Sequence, residues 1–136
     1  MSARDLILLV EDNEANSMLA TAVLERDGFQ VEVANSASKV DERLREMSYD
    51  LILMDVQLPG EDGLSLTRRL RAQPATASIP IVALTAHAMA GDRERALEAG
   101  CSGYVAKPID TRTFGNQVRG LLRDSRGNKR KEEVPS

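Results

Sequence analysis

A doubly wound α/β domain, with five parallel strands alternating with five helices, is the fold class this sequence predicts. Three observations predict it. Short apolar runs recur along the chain, each followed by a stretch at helical spacing. Three of the runs, LILLV, LILM and IPIVAL, are nearly continuous in apolar residues, as strands covered on both faces must be. A chain of 136 residues, finally, fits one core and leaves no room for a comfortable second.

The elements follow in order. Strands are predicted at Leu6 to Val10, Gln30 to Ala34, Leu51 to Met54, Ile79 to Leu84 and Gly103 to Val105. The first helix carries Ala15, Met18, Leu19, Ala22 and Val23 at helical spacing, and Gly28 offers its stop. Val40, Leu44 and Met47 stripe the second, with Ser36 as N-cap. Leu66 and Leu70 mark a third, opening near Asp62. The stretch Gly91 to Gly100 suits a helix, but only Ala96 and Leu97 offer a buried side, so its surface should be weakly held. Phe114, Val118, Leu121 and Leu122 mark the last helix, after Asp110 or Thr111. The domain is expected to span residues 1–122, and the stretch RDSRGNKRKEEVPS (123–136), which lacks apolar periodicity, to fray or be disordered.

Composition excludes several classes. Hydrophobic residues are 42% and charged residues 29%, as in ordinary soluble domains, while aromatics are 3% with no Trp. The core must therefore be Leu, Val, Ile, Ala and Met. The net charge of −3 comes from a body of 13 basic against 18 acidic residues and a tail with five basic against three. Neither gives an electrostatic argument for direct nucleic-acid binding. Cys101 is the single cysteine, so no intramolecular disulfide can form, and a reducing cytoplasm is the expectation. No apolar run approaches the ~20 residues of a membrane span, and the N-terminus lacks a signal-peptide layout.

The chemistry gathers at the strand ends. In an open parallel sheet the crevice lies at the carboxyl ends of the strands. The first strand runs into Glu11 and Asp12, the third into Asp55, the fourth into Thr85 and the fifth into Lys107. Taken singly, each has a structural explanation: a turn former, a helix N-terminal acid, a solvated strand end. Together they place three acids on one edge, and three carboxylates repel unless cations hold them. Lys107 supplies one positive charge, and a hard divalent ion with oxygen ligands, Mg²⁺ above all, balances the rest.

LILLVEDN (6–13), DLILMDVQLPGEDGL (50–64), IPIVALTAHA (79–88) and GYVAKPID (103–110) occur in this order and cover nearly the whole body. In this combination the sequence resembles the receiver domains of two-component response regulators, the CheY-like, flavodoxin-like fold. The Asn after the acid pair and TAHAM are similar to single-domain regulators of the DivK type and to the receivers of hybrid histidine kinases. The resemblance implies that Asp55 accepts a phosphoryl group from a histidine kinase or a phosphotransfer protein. It implies Mg²⁺ on Asp12, Asp55 and the backbone carbonyl of Gln57, with Glu11 acting through water. Lys107 would neutralise the transferring oxygens. Thr85 would bond the phosphoryl group, helped by the N–H groups of Val56 and Ala86, and Tyr104 would rotate into the space that Thr85 vacates. The resemblance implies a switch rather than an enzyme, with catalysis limited to its own phosphorylation and dephosphorylation. Its output would be a protein contact through the fourth helix, fifth strand and fifth helix.

The resemblance further implies a cis bond before Pro108, a loop shaped by Pro59 and Gly60, and tuning of dephosphorylation by Gln57 and His87. His87 itself is expected to be an exposed loop histidine. Three rivals stand beside this reading. An aspartate-nucleophile phosphatase needs a second acid two residues after the first, where this chain has Gln57. A nucleotide-binding domain needs a glycine-rich phosphate loop, and none follows a strand. A receiver module excised from a hybrid kinase would share every motif; the start MSARD and the tail favour a free-standing protein.

Overall fold

The computed structural model describes residues 4–58, 60–86 and 90–133, with the backbone alone described at 90 and 127–133. Pro59 and His87 lie outside the described residues. The strands are β1 (Leu6–Val10), β2 (Gln30–Ala34), β3 (Leu51–Asp55), β4 (Ile81–Thr85) and β5 (Gly103–Ala106). The helices are α1 (Glu14–Arg26), α2 (Ala37–Glu46), α3 (Gly63–Arg71), α4 (Ala90–Ala99) and α5 (Phe114–Glu133). All strand pairs are parallel, in the order β2-β1-β3-β4-β5. The predicted fold class is the observed one.

Strand alternation divides the core in two. Ile7, Leu9, Leu53, Val82 and Leu84 face α1 and α5, where Val23, Leu24, Phe114 and Val118 meet them. Leu8, Val10, Ile52, Met54 and Ala83 face the other way, against Val40 of α2, Leu66 and Leu70 of α3 and Ala96 of α4. This is why β1, β3 and β4 read as unbroken apolar runs. Both of their faces are covered.

The caps are local chemistry. Asn13, Ser36 and Asp62 each accept a backbone N–H from the first turn of their helix. Asp62 accepts two, from Leu64 and Ser65, which holds its carboxyl below the usual range, the Ser65 bond first. At α5, Asp110 accepts from the Arg112 N–H and its carbonyl from Phe114, so it directs the turn into the helix.

Two expectations about buried faces are corrected. Met18 and Leu19 are 65% and 46% exposed, and the face of α1 turned to the core is Ser17, Ala20, Val23 and Leu24. Apolar residues lie almost all round this helix, so periodicity cannot fix its rotation. On α4, Leu97 is exposed and Ala99 joins Ala96 inside. The backbone of the last helix runs on through Glu133, past residue 122. Lys, Arg and Glu are good helix formers, no proline intervenes before Pro135, and Arg126 bonds Asp5 at 2.6 Å.

Arg71 joins segments distant in sequence. Its guanidinium donates to the carbonyls of Ala77, Ile79 and Gly100 at 2.9, 2.5 and 2.8 Å, tying the α3–β4 loop to the turn after α4. Beside it Cys101 is buried, and burial pushes its thiol up, which keeps it an unreactive thiol.

Gly63 fixes how α3 sits on β3. A Cβ there would fall 2.2 Å from the carbonyl oxygen of Asp55 and 2.8 Å from the Cα of Val56. Both obstacles are backbone, so neither can rotate away. Gly63→Ala should therefore cost about 2–3 kcal/mol in urea-unfolding free energy. A loss under about 0.5 kcal/mol, the range of an ordinary surface change, would show that α3 can lift off without cost.

Candidate functional site

The order β2-β1-β3 places the reversal of the sheet between β1 and β3, and the crevice forms beyond their carboxyl ends. The side chains that β1 and β3 release there are the three predicted acids. Glu11 and Asp55 are each 3% exposed, whereas Asp12 points to solvent. One carboxylate oxygen from each of Glu11, Asp12 and Asp55 lies within 4.8 Å of the others.

Lys107 reaches the same place from β5. Its Nζ donates to Glu11 Oε2 at 2.9 Å and lies 3.2 Å from Asp55 Oδ2. The peptide bond between Lys107 and Pro108 is cis, as the resemblance implied. The Lys107 N–H donates to the Thr85 carbonyl at 2.8 Å, so the ends of β4 and β5 stay joined at the crevice. Thr85 itself is buried at the last position of β4. Tyr104, half-buried, pairs in register with Ala83, two residues before Thr85, and shares its face of the sheet.

Asp55 is a carboxylate under strain from its surroundings. Burial pushes its pKa up, and the charge of Glu11 adds to this; the Gln57 N–H and Lys107 oppose it without cancelling it. For Lys107 burial works downward, but Glu11 and Asp55 outweigh it and the ammonium is held above its usual range. Three acids against one ammonium leave two formal negative charges. The donors are all hard oxygens, the set that suits Mg²⁺ or Ca²⁺ and not a soft metal.

Backbone contacts divide the amides of this loop between sheet and acid. The Val56 N–H donates to the Leu84 carbonyl at 3.1 Å, inside the sheet ladder, and cannot also serve the crevice. The Gln57 N–H instead donates to Asp55 Oδ1 at 3.0 Å. The Val56 amide is thus held in the ladder, while the Gln57 amide faces the acid. Asn13, whose N–H donates to Glu11 Oε1 at 3.2 Å, was missed as a positioning residue.

Two hollows border the site. One, of about 280 Å³, is largely apolar and runs beside Lys107 between α1 and the loop after β5, lined by Leu9, Leu19, Ala20, Leu84, Pro108 and Ile109. The other, of about 230 Å³, lies between α3 and α4 against Val56, Ala83, Thr85 and Ala96. Among the described residues, no helix is long and apolar enough to cross a membrane.

Comparison with known proteins agrees with this geometry. Residues 7–119 match the family model of the response regulator receiver domain. The polar-differentiation response regulator DivK of Brucella ovis is 38% identical over 88% of this chain and 97% of its own. The signal transduction histidine-protein kinase BarA of Escherichia coli is 42% identical over 81% of this chain, which spans 12% of BarA. Among solved structures, the receiver domain of a sensor histidine kinase from Pseudomonas aeruginosa, with a magnesium ion coordinated in its active-site cleft, matches at a TM-score of 0.78. It is 39% identical, over 92% of this chain and 99% of that one. The signal receiver domain of a histidine kinase from Syntrophus aciditrophicus matches at 0.80, with 32% identity over 97% and 98% of the two chains. A crevice of three acids and one lysine at the switch point of a five-stranded parallel sheet, together with these matches, places the chain in the response regulator receiver domain family of two-component systems.

Proposed function

We propose that the chain is a phosphorylation switch in which Asp55 takes a phosphoryl group from the phosphohistidine of a kinase or phosphotransfer protein. The observation that carries this reading is a buried carboxylate set between an ammonium and two further acids. An Asp55 oxygen attacks phosphorus, the bond from phosphorus to the donor imidazole nitrogen breaks, and that nitrogen keeps the electron pair and takes a proton. The product is an acyl phosphate, reactive enough to be reversed by water.

The residues fit a bound Mg²⁺: Asp12, Asp55 and the Gln57 carbonyl would hold it, with Glu11 through water. When bound, the ion neutralises charge on the transferring oxygens. Lys107 does the same from the other side, and the Gln57 N–H positions the attacking carboxylate. Thr85 receives a phosphoryl oxygen, and Tyr104 follows it inward. The switching unit is residues 1–122, with 123–136 an appendage.

Partners follow from surfaces. The donor approaches over the apolar groove beside Lys107, where exposed Met18 and Leu19 continue the apolar surface along α1. The output face is α4, β5 and α5, where Leu97 is exposed. The reading serves equally a free-standing regulator and the receiver module of a larger kinase, since relatives of both kinds match.

Incubation with Mg²⁺ and a small phosphodonor should add one phosphoryl group, which peptide mapping should locate at Asp55. Mg²⁺ alone should raise Tm by binding only the folded form, and Asp12→Ala should remove that rise. A phosphoryl group found elsewhere, or no uptake at all, would sink the reading.

A further inference from the structure

Arg93 of α4 stands over the ring of Tyr104, its Cζ 5.5 Å from the ring centroid. Asp92 pairs with Arg95, and among the described residues Arg93 has no ion pair. A guanidinium within about 6 Å of an aromatic face is attracted to the ring quadrupole. The contact joins the helix to the strand residue that the proposed switch moves.

The surroundings make this contact matter. Among the described residues of α4 the buried ones are the small Ala96 and Ala99, so small surface energies set its position. Ala83 stands opposite Tyr104 and is too small to fill the space before it. The 230 Å³ hollow between α3 and α4 borders Ala83, Thr85 and Ala96, on the face of the sheet that carries Tyr104. The hollow thus lies on the Thr85 side of the face that carries Tyr104, while the cation lies over the ring where it now stands.

We propose that Arg93 is a latch on Tyr104, a positioning residue that favours the resting place of the ring and sets how readily phosphorylation turns the molecule on. The inference rests on the phosphorylation switch proposed above and names its regulation. A ligand shifts a two-state equilibrium only by its differential affinity, so any interaction made in one state alone changes its apparent affinity. An exposed cation–π contact should change it about two- to five-fold.

The test is a titration with beryllofluoride and Mg²⁺, followed by the ring proton resonances of Tyr104 in wild type, Arg93→Met, Arg93→Lys and Tyr104→Ala. In Tyr104→Ala the backbone amides report instead. Arg93→Met should lower the half-conversion concentration about two- to five-fold, and Arg93→Lys should restore most of the wild-type value. In the Tyr104→Ala background, Arg93→Met should change nothing, because a latch without its ring has no hold. Without beryllofluoride, Arg93→Met should already shift the Tyr104 resonances toward the converted positions. A responsive wild type with an unchanged Arg93→Met half-point overturns the latch alone, as does an effect that survives Tyr104→Ala. A wild type that ignores beryllofluoride removes the switch, and the latch with it.

Discussion

Asp55→Asn should melt at a higher temperature than the wild type at neutral pH without Mg²⁺, and yet take up no phosphoryl group. The two halves share one cause. Asp55 is 3% exposed, and burial followed by the charge of Glu11 raises its pKa above the ordinary carboxylate value of about 4. A group whose folded pKa is raised binds its proton more tightly in the folded chain. Its contribution to stability is complete below the unfolded pKa and is lost as pH rises through the folded value. At neutral pH the ionised acid is therefore a burden on the fold. Asparagine carries no charge at any pH and can still accept the Gln57 N–H that Asp55 Oδ1 now accepts at 3.0 Å. Lys107 keeps Glu11 at 2.9 Å. The gain should be about 1 kcal/mol at pH 7, and the difference from wild type should vanish as pH falls below about 4. An amide nitrogen cannot form the acyl phosphate, so uptake should be nil. Paired thermal melts at several pH values decide the first half, and a variant that melts below wild type at pH 7 refutes it.

That burden was legible in the sequence in outline. LILM announced a strand buried on both sides, and an acid at its end had to be compensated. The gathering of Glu11, Asp12, Asp55 and Lys107 followed from the alternation of elements and the crevice rule. What escaped depends on rotation or on distance along the chain. The face of α1 was misread because apolar residues surround that helix, and the sheet alone decides which of them turn inward. The Val56 and Gln57 amides differ by one position, and only the ladder bond to Leu84 tells which is free to face the acid. Arg69, which bridges Asp41 of α2 and Glu61 of the loop before α3 at 3.0 and 3.2 Å, reads in the sequence as an ordinary surface arginine. So does Arg93. A cation's partner is settled by tertiary packing, and local periodicity carries no information about it.

Lys107→Met should separate two jobs that the crevice now combines. The ammonium touches Glu11 Oε2 at 2.9 Å and Asp55 Oδ2 at 3.2 Å, so it neutralises acids that a divalent cation would also claim. Removing it takes away a competing charge, and Mg²⁺ should bind more tightly, read as a larger Mg²⁺-induced rise in Tm. Phosphoryl transfer should nevertheless slow. Charge on the transferring oxygens is spread to both sides of the phosphorus, and a group that stabilises it from the lysine side is lost with the ammonium. Loss of one such preorganised charge costs about 10²–10³ in rate. Lys107→Arg keeps the charge on a wider, planar group and should recover only part of the rate. The pattern to look for is opposite signs: tighter Mg²⁺ and slower uptake from a small phosphodonor, in a variant whose far-ultraviolet spectrum matches wild type. If Lys107 served only to hold the crevice closed, both would fall together. A loss of uptake below about ten-fold with weakened Mg²⁺ binding would assign the lysine to structure and leave the transferring oxygens to other groups.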